Sequence, residues 1–189
     1  MEAIEIIKKI YDKDYTRVYN KTEFDRNLVG SEGYGETGYE SFEAIIKNFG
    51  GFFDQSAVFY DLGSGLGKIV AHVGLKYDVK KSCGIEYSKE RHQFSLRMIE
   101  DFQIKKDNIA FINENILNCN LSDATVIYTD NTLFPDRINS EIYKKIPKNC
   151  LVLSRKLFNE SKINNEMIKS GISVPTNYGT NSLYSFIKK

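Results

Sequence analysis

The chain has few of the residues that make covalent or metal staples. Its 189 residues hold three cysteines and two histidines. Cys83, Cys119 and Cys150 form no CxxC pair, and an odd, scattered set reads as reduced core thiols of an intracellular protein. Neither His72 nor His92 stands at ligand spacing to a cysteine, so no metal is implied. A basic run is also missing: Lys80-Lys81, Lys105-Lys106 and Lys144-Lys145 are isolated pairs in a chain of net charge +1. Nonspecific nucleic-acid binding needs a basic stripe, so direct binding of DNA or RNA is expected to be weak or absent. No apolar run approaches the roughly 18 residues of a membrane span, and the N-terminus has no signal-peptide core. The expectation is a soluble protein of the nucleus or cytoplasm with no membrane partner. Internal repeats and low-complexity segments are absent as well.

What is present is organised around Val58-Phe-Tyr-Asp-Leu-Gly-Ser-Gly-Leu-Gly-Lys-Ile-Val70. Strand-like Val58 to Asp61 runs into Gly63, Gly65 and Gly67 and then into an apolar helical segment, Ile69 to Leu75. Glycine takes positive φ without penalty and lets a ligand approach the backbone. A P-loop needs GxxxxGK followed by Ser or Thr, but Leu62 occupies the first glycine position and Ile69 follows Lys68. A dinucleotide fingerprint is GxGxxG with an acidic residue about 20 positions on; here the pattern is Asp61-x-Gly63-x-Gly65-x-Gly67, with Glu86 closing the next strand, Ser82 to Ile85. An acidic residue before the first glycine and another after the second strand point to S-adenosylmethionine. Asp61 can reach its amino-acid end, and Glu86 can accept both ribose hydroxyls.

Along the chain, Ile4, Ile7 and Tyr11 at helical spacing predict a short helix over Glu2 to Asp12, and Phe42, Ile45, Ile46 and Phe49 predict another over Tyr39 to Asn48. Between them lies a long turn-rich segment, and such loops are usually functional. Ser88 caps a predicted helix from Lys89 to Phe102 with Phe94, Met98 and Phe102 on one face. Strands Ile109 to Ile112, Thr125 to Thr129 and Cys150 to Ser154, with helix Asp136 to Lys145, continue an alternation that predicts a mostly parallel sheet with helices on both faces. Ile172 to Val174 and Leu183 to Ile187 predict a closing antiparallel hairpin. The fold expected is therefore α/β, Rossmann-like and doubly wound, as in class I methyltransferases. One structural domain is expected, with residues 1–50 as a helical arm and cofactor-covering loop and 51–189 as the methyltransferase core. Ligands of such sheets bind beyond the carboxyl ends of the strands, here Asp61, Glu86, Asn113 to Ile116 and Thr129 to Asn131.

These residues resemble the disruptor of telomeric silencing family of non-SET histone-lysine methyltransferases. Tyr19-Asn20, Tyr34-Gly35-Glu36-Thr37, Asp61 to Gly67 and Asp130-Asn131-Thr-Leu-Phe134 carry the resemblance, in that order, over Tyr19 to Ile187. It implies that Tyr34, Gly35, Glu36 and Thr37 cover the methionine end of S-adenosylmethionine, and that Asp61, Gly63, Ser64, Gly65, Gly67 and Lys68 floor it. It also implies that Glu86 holds the ribose and that Asn115 and Ile116 meet the adenine. Asn131 would sit where methyl donor and amine meet, and with Glu36 and Tyr34 it makes up the implied catalytic set. Three positions depart from the family: Lys68 stands where Gln is usual, and Asn115-Ile116 where the family has an Asp-Phe pair whose ring stacks on adenine. The basic extension with which relatives hold nucleosomes is also missing. Phe134, Tyr178 and Tyr184 are candidate aromatic walls for a substrate lysine.

The function so implied is methylation of a protein lysine, with a histone as the favoured substrate. The alternatives are the same fold acting on a non-histone protein or small amine, and a non-catalytic module that binds S-adenosylmethionine.

Overall fold

The computed structural model describes residues 2–13, 35–158, 166–176 and 179–189. Seven strands form one sheet in the order β3-β2-β1-β4-β5-β7-β6. They are β1 Val58–Leu62, β2 Lys81–Glu86, β3 Ile109–Asn113, β4 Val126–Thr129, β5 Leu151–Ser154, β6 Glu166–Thr176 and β7 Gly179–Ile187. The first five run parallel, while β7 is antiparallel to both β5 and β6. This is the doubly wound sheet with a closing hairpin that the alternation of elements predicts. Parallel pairing brings the ends of β1, β2 and β4 to one edge, with Asp61 opposite Gly84 on one side and Tyr128 on the other.

The helices are α1 Ala3–Asp12, α2 Tyr39–Phe49, α3 Lys68–Lys76, α4 Lys89–Asp101 and α5 Asp136–Lys145. Strand β1 is buried along its whole length because helices cover both faces. On one face Phe42, Ile45, Ile46 and Phe49 of α2 pack with Val73 of α3 against Phe59, Tyr128 and Leu153. On the other, Ile138 and Ile142 of α5 pack against Tyr60, Ile127, Val152 and Phe186. The three cysteines are all buried and free.

Helix α4 is capped by Ser88, whose hydroxyl accepts from the Arg91 N–H; Met98 and Phe102 pack inward as read from the sequence, but Phe94 does not join them. Ser95 and Met98 are buried, whereas the Phe94 ring lies under the Arg97 guanidinium, 4.3 Å from it. The reason is steric. The helix passes so close to the glycine loop that a Cβ on Gly67 would lie 2.8 Å from that of Ser95, so only a small residue fits there.

Helix α1 is tied to α2 and α3 by a buried polar chain. His72 on α3 is 0 % exposed, and burial pushes its pKa down to about 4. The neutral ring then donates from Nε2 to Glu43 Oε1 at 2.6 Å and accepts at Nδ1 from the Tyr11 hydroxyl at 3.2 Å. Lys76 completes the chain on Glu43, and Tyr39 stacks on the imidazole at 5.3 Å.

Candidate functional site

The end of β1 becomes a loop because three glycines take left-handed backbone, with φ of +82° at Gly63, +55° at Gly65 and +78° at Gly67. The loop is held from below. The N–H groups of Gly63 and Ser64 both donate to the Ile85 carbonyl, at 2.9 and 3.0 Å. The Gly65 N–H donates to Glu86 Oε2 at 2.8 Å, and Gly67 N–H closes onto the Ser64 carbonyl. Glu86 also accepts from the Ser88 N–H, through Oε1 at 2.8 Å. One buried carboxylate therefore joins the loop to the start of α4.

Above the loop lies a recess lined by Gly35, Glu36, Thr37, Asp61, Gly63, Ser64, Gly65, Leu66, Lys68, Ile69, Tyr128 and Asp130. Its electrostatics are acidic. Burial, together with the charges of Glu86 and Asp130, holds the Asp61 carboxyl well above its ordinary pKa. Glu36 pairs with Lys68 at 2.9 Å, which ties the 35–37 segment to the first residue of α3. Thr37 Oγ1 lies 2.7 Å from the Tyr128 hydroxyl, whose pKa burial raises to about 12. A wider hollow adjoins the recess, sharing Glu36, Thr37 and Lys68 with it and walled by Tyr11, Asp12, Tyr39 and Glu40 of α1 and α2.

The sequence-read residues fall into groups. Gly35, Glu36, Thr37, Asp61, Gly63, Ser64, Gly65 and Lys68 line the recess together. Glu86 stands behind it, and Gly67 lies beneath it, against the Phe111 ring. Tyr34, Tyr19, Asn20 and Tyr178 fall outside the described residues. Asn115 and Ile116 do not border the recess: Asn115 Oδ1 caps a short 3-10 turn by accepting from the Leu117 N–H at 2.9 Å, and Ile116 packs on the core at α5. Asn131, which the resemblance places beside the methyl group, is also absent from the recess lining. It is 0 % exposed. Its Nδ2 donates to Asn139 Oδ1 and to the Lys156 carbonyl, and its Oδ1 accepts from the Lys156 N–H, all between 2.8 and 2.9 Å. Asn139 in turn donates to the Phe134 carbonyl at 3.0 Å, and the Phe134 ring borders the loop, so that a Cβ on Gly63 would lie 3.3 Å from it. Asn131 thus supports the segment that places Phe134. Sequence reasoning missed Tyr128 and Arg155, since a tyrosine in an apolar strand and an arginine just past one carry no spacing signal.

A family model described as "Histone methylation protein DOT1" matches residues 25–180. The chain belongs to the DOT1 family. Among curated relatives, a Caenorhabditis elegans histone-lysine N-methyltransferase, H3 lysine-79 specific, is 29% identical over 148 residues, which is 70% of this chain and 15% of that protein. The chain thus spans less than a sixth of that relative's length. A Saccharolobus islandicus (strain REY15A) protein-lysine N-methyltransferase is 26% identical over 134 residues, 70% of this chain and 80% of that protein. The fold of this DOT1-family chain matches that of an RNA methyltransferase from Salinibacter ruber in complex with S-adenosyl-L-homocysteine, with a TM-score of 0.61 and 18% identity over 82% of this chain and 94% of that one. A magnesium protoporphyrin IX methyltransferase from Synechocystis PCC 6803 with bound SAM gives 0.62 and 8% over 100% and 98%. Its α1, residues 3–12, lies outside the family match.

Proposed function

We propose that the chain is a class I methyltransferase that uses S-adenosylmethionine and methylates a protein lysine, with a histone as the favoured substrate. One observation carries the reading: the N–H groups of Gly63, Ser64, Gly65 and Gly67 are bound within the fold, and of the charges around the loop three are carboxylates and the fourth, Lys68, is paired with Glu36. A P-loop presents N–H donors to phosphate, whereas a pyrophosphate here would meet acidic walls. A nucleoside bearing a positive sulfur suits the same surface.

When bound, S-adenosylmethionine supplies an electrophilic methyl on a sulfonium. Asp61 and Asp130 favour the cation, and Glu86 keeps lone pairs for the ribose hydroxyls, since each carboxylate oxygen accepts more than one bond. Glu36, Thr37 and Lys68 face the amino-acid end. The hollow beside α1 sets Asp12, Glu36 and Glu40 against Lys8 and Lys68, a net acidic wall that would attract an ammonium, with Tyr11 and Tyr39 to exclude water. A lysine amine has an ordinary pKa of about 10.4, and leaving water lowers it toward the neutral form that attacks. Proximity and orientation then supply much of the rate.

The similarity to the Saccharolobus islandicus protein-lysine N-methyltransferase, 80% of whose length is matched, supports a second reading, a non-histone protein substrate. The test is incubation with methyl-labelled S-adenosylmethionine and separated core histones, nucleosomes and lysate proteins, read by mass spectrometry. Methyl groups on protein lysine are expected. Label found on RNA, DNA or small amines with none on lysine overturns the reading.

A further inference from the structure

Arg155, the first residue after β5, is a cation held inside the fold at 5 % exposure. Its Nη2 donates to Thr37 Oγ1 at 2.7 Å, while its Nε and Nη1 have no acceptor. Among the described residues it forms no ion pair; Lys68 and Lys156 nearby each have a carboxylate, Glu36 and Asp136. A guanidinium cannot shed its proton, and a buried cation without a counter-charge is costly. Arg155 therefore calls for an anion close by.

The bonds around it say where that anion binds. Arg155 only donates, so the Thr37 oxygen accepts from it. Thr37 and Tyr128 lie 2.7 Å apart and share one hydrogen bond between two hydroxyls. Two hydroxyls carry two hydrogens, so one remains for another acceptor, and both residues line the recess. A cation behind such a chain strengthens the donor at its end. The cofactor proposed above has a single anionic group, the α-carboxylate of its amino-acid end. Within the recess Glu36, Asp61 and Asp130 repel it, and the cation that lines it, Lys68, is paired with Glu36.

We propose that Arg155, acting through Thr37 and Tyr128, forms the subsite for that carboxylate. Arg155 is a positioning residue here, because it works through the two hydroxyls. The inference rests on the S-adenosylmethionine reading of the recess, and its test separates the two. Calorimetric titration compares S-adenosylmethionine with its decarboxylated analogue on the unaltered protein and on Arg155→Met, Thr37→Val and Thr37→Ser. The unaltered protein should prefer the carboxylate form by roughly ten- to a hundredfold, the range for a charge-assisted hydrogen bond. Arg155→Met and Thr37→Val should remove most of that preference while changing affinity for the analogue less than about twofold, and Thr37→Ser should retain it. Replacing a buried charge by an apolar residue is commonly tolerated; should Arg155→Met fail to fold, the Thr37 pair decides alone. Equal binding of both ligands by the unaltered protein, or an equal loss for both in Arg155→Met and Thr37→Val, overturns the subsite and leaves the cofactor reading standing. Binding of neither ligand overturns both.

Discussion

Replacing Glu86 tests whether its carboxylate is a structural anchor before it is a ligand contact. Both oxygens accept backbone N–H groups, from Gly65 and Ser88, at 2.8 Å each. Hydrogen bonds to a charged group contribute about 1.5–3 kcal/mol each, so Glu86→Ala, which leaves both donors buried, should cost about 3–6 kcal/mol. Glu86→Gln keeps one acceptor and turns an NH₂ toward the other N–H. Burial already raises the Glu86 pKa, so a neutral amide also removes a desolvation penalty, and the loss should lie nearer 1.5 kcal/mol, at the low end of that range. For a domain of this size 1 kcal/mol moves Tm by about 2–4 °C. The assay is thermal and urea unfolding, followed by titration with S-adenosylmethionine below the transition of the weaker variant. Affinity should fall roughly ten- to a hundredfold in Glu86→Ala. A variant with unchanged Tm and weakened binding would refute the anchoring argument. Lowered Tm with intact binding would refute the ribose contact.

Gly67→Ala should cost at least 3 kcal/mol, about 1–2 of it for the left-handed backbone and the rest for a Cβ placed 2.4 Å from Phe111; urea unfolding at unaltered stability would contradict this. Asn131→Ala should lower stability by about 2–4 kcal/mol, since it orphans the Lys156 N–H and Asn139 in the interior, and should reduce turnover together with stability; a fully stable variant that loses turnover alone would restore the substrate-contact role. His72 has a folded pKa of about 4 against about 6.5 unfolded. The unfolded chain takes up a proton first as pH falls, so this residue should lower stability by about 3 kcal/mol between pH 6.5 and 4, with no effect above that window, and unfolding of His72→Asn should lack that slope. Binding a sulfonium should pull down the raised Asp61 pKa and release protons, so affinity should weaken as pH falls; calorimetry in buffers of differing ionisation enthalpy reads the proton count, and Asp61→Asn should abolish it.

The sheet was legible because its signals are local. Alternation of apolar strands with periodic helices gave every described strand, and helix Asp136–Lys145 to the residue. The glycine loop and its acidic neighbours were legible because positive φ admits few other residues. What escaped depends on partners distant in sequence. The sequence placed Asn131 at a strand end but could not say that Asn139 and Lys156 would occupy its amide. Arg155 reads as one more surface charge until Thr37, 118 positions away, is found beside it. On α4 the spacing placed Met98 and Phe102 correctly but not Phe94, because burial there also follows the close approach of Ser95 to Gly67.

Helix α3 makes a lever of the chain joining Tyr11, His72 and Glu43. Its first residue, Lys68, lines the recess, and one turn later His72 grips α1. Nine residues of α-helix form a stiff rod about 13 Å long, so the grip on α1 and the edge of the glycine loop belong to one rigid element. A residue replaced in α1, outside the family match, changes the support of a helix whose first residue lines the recess.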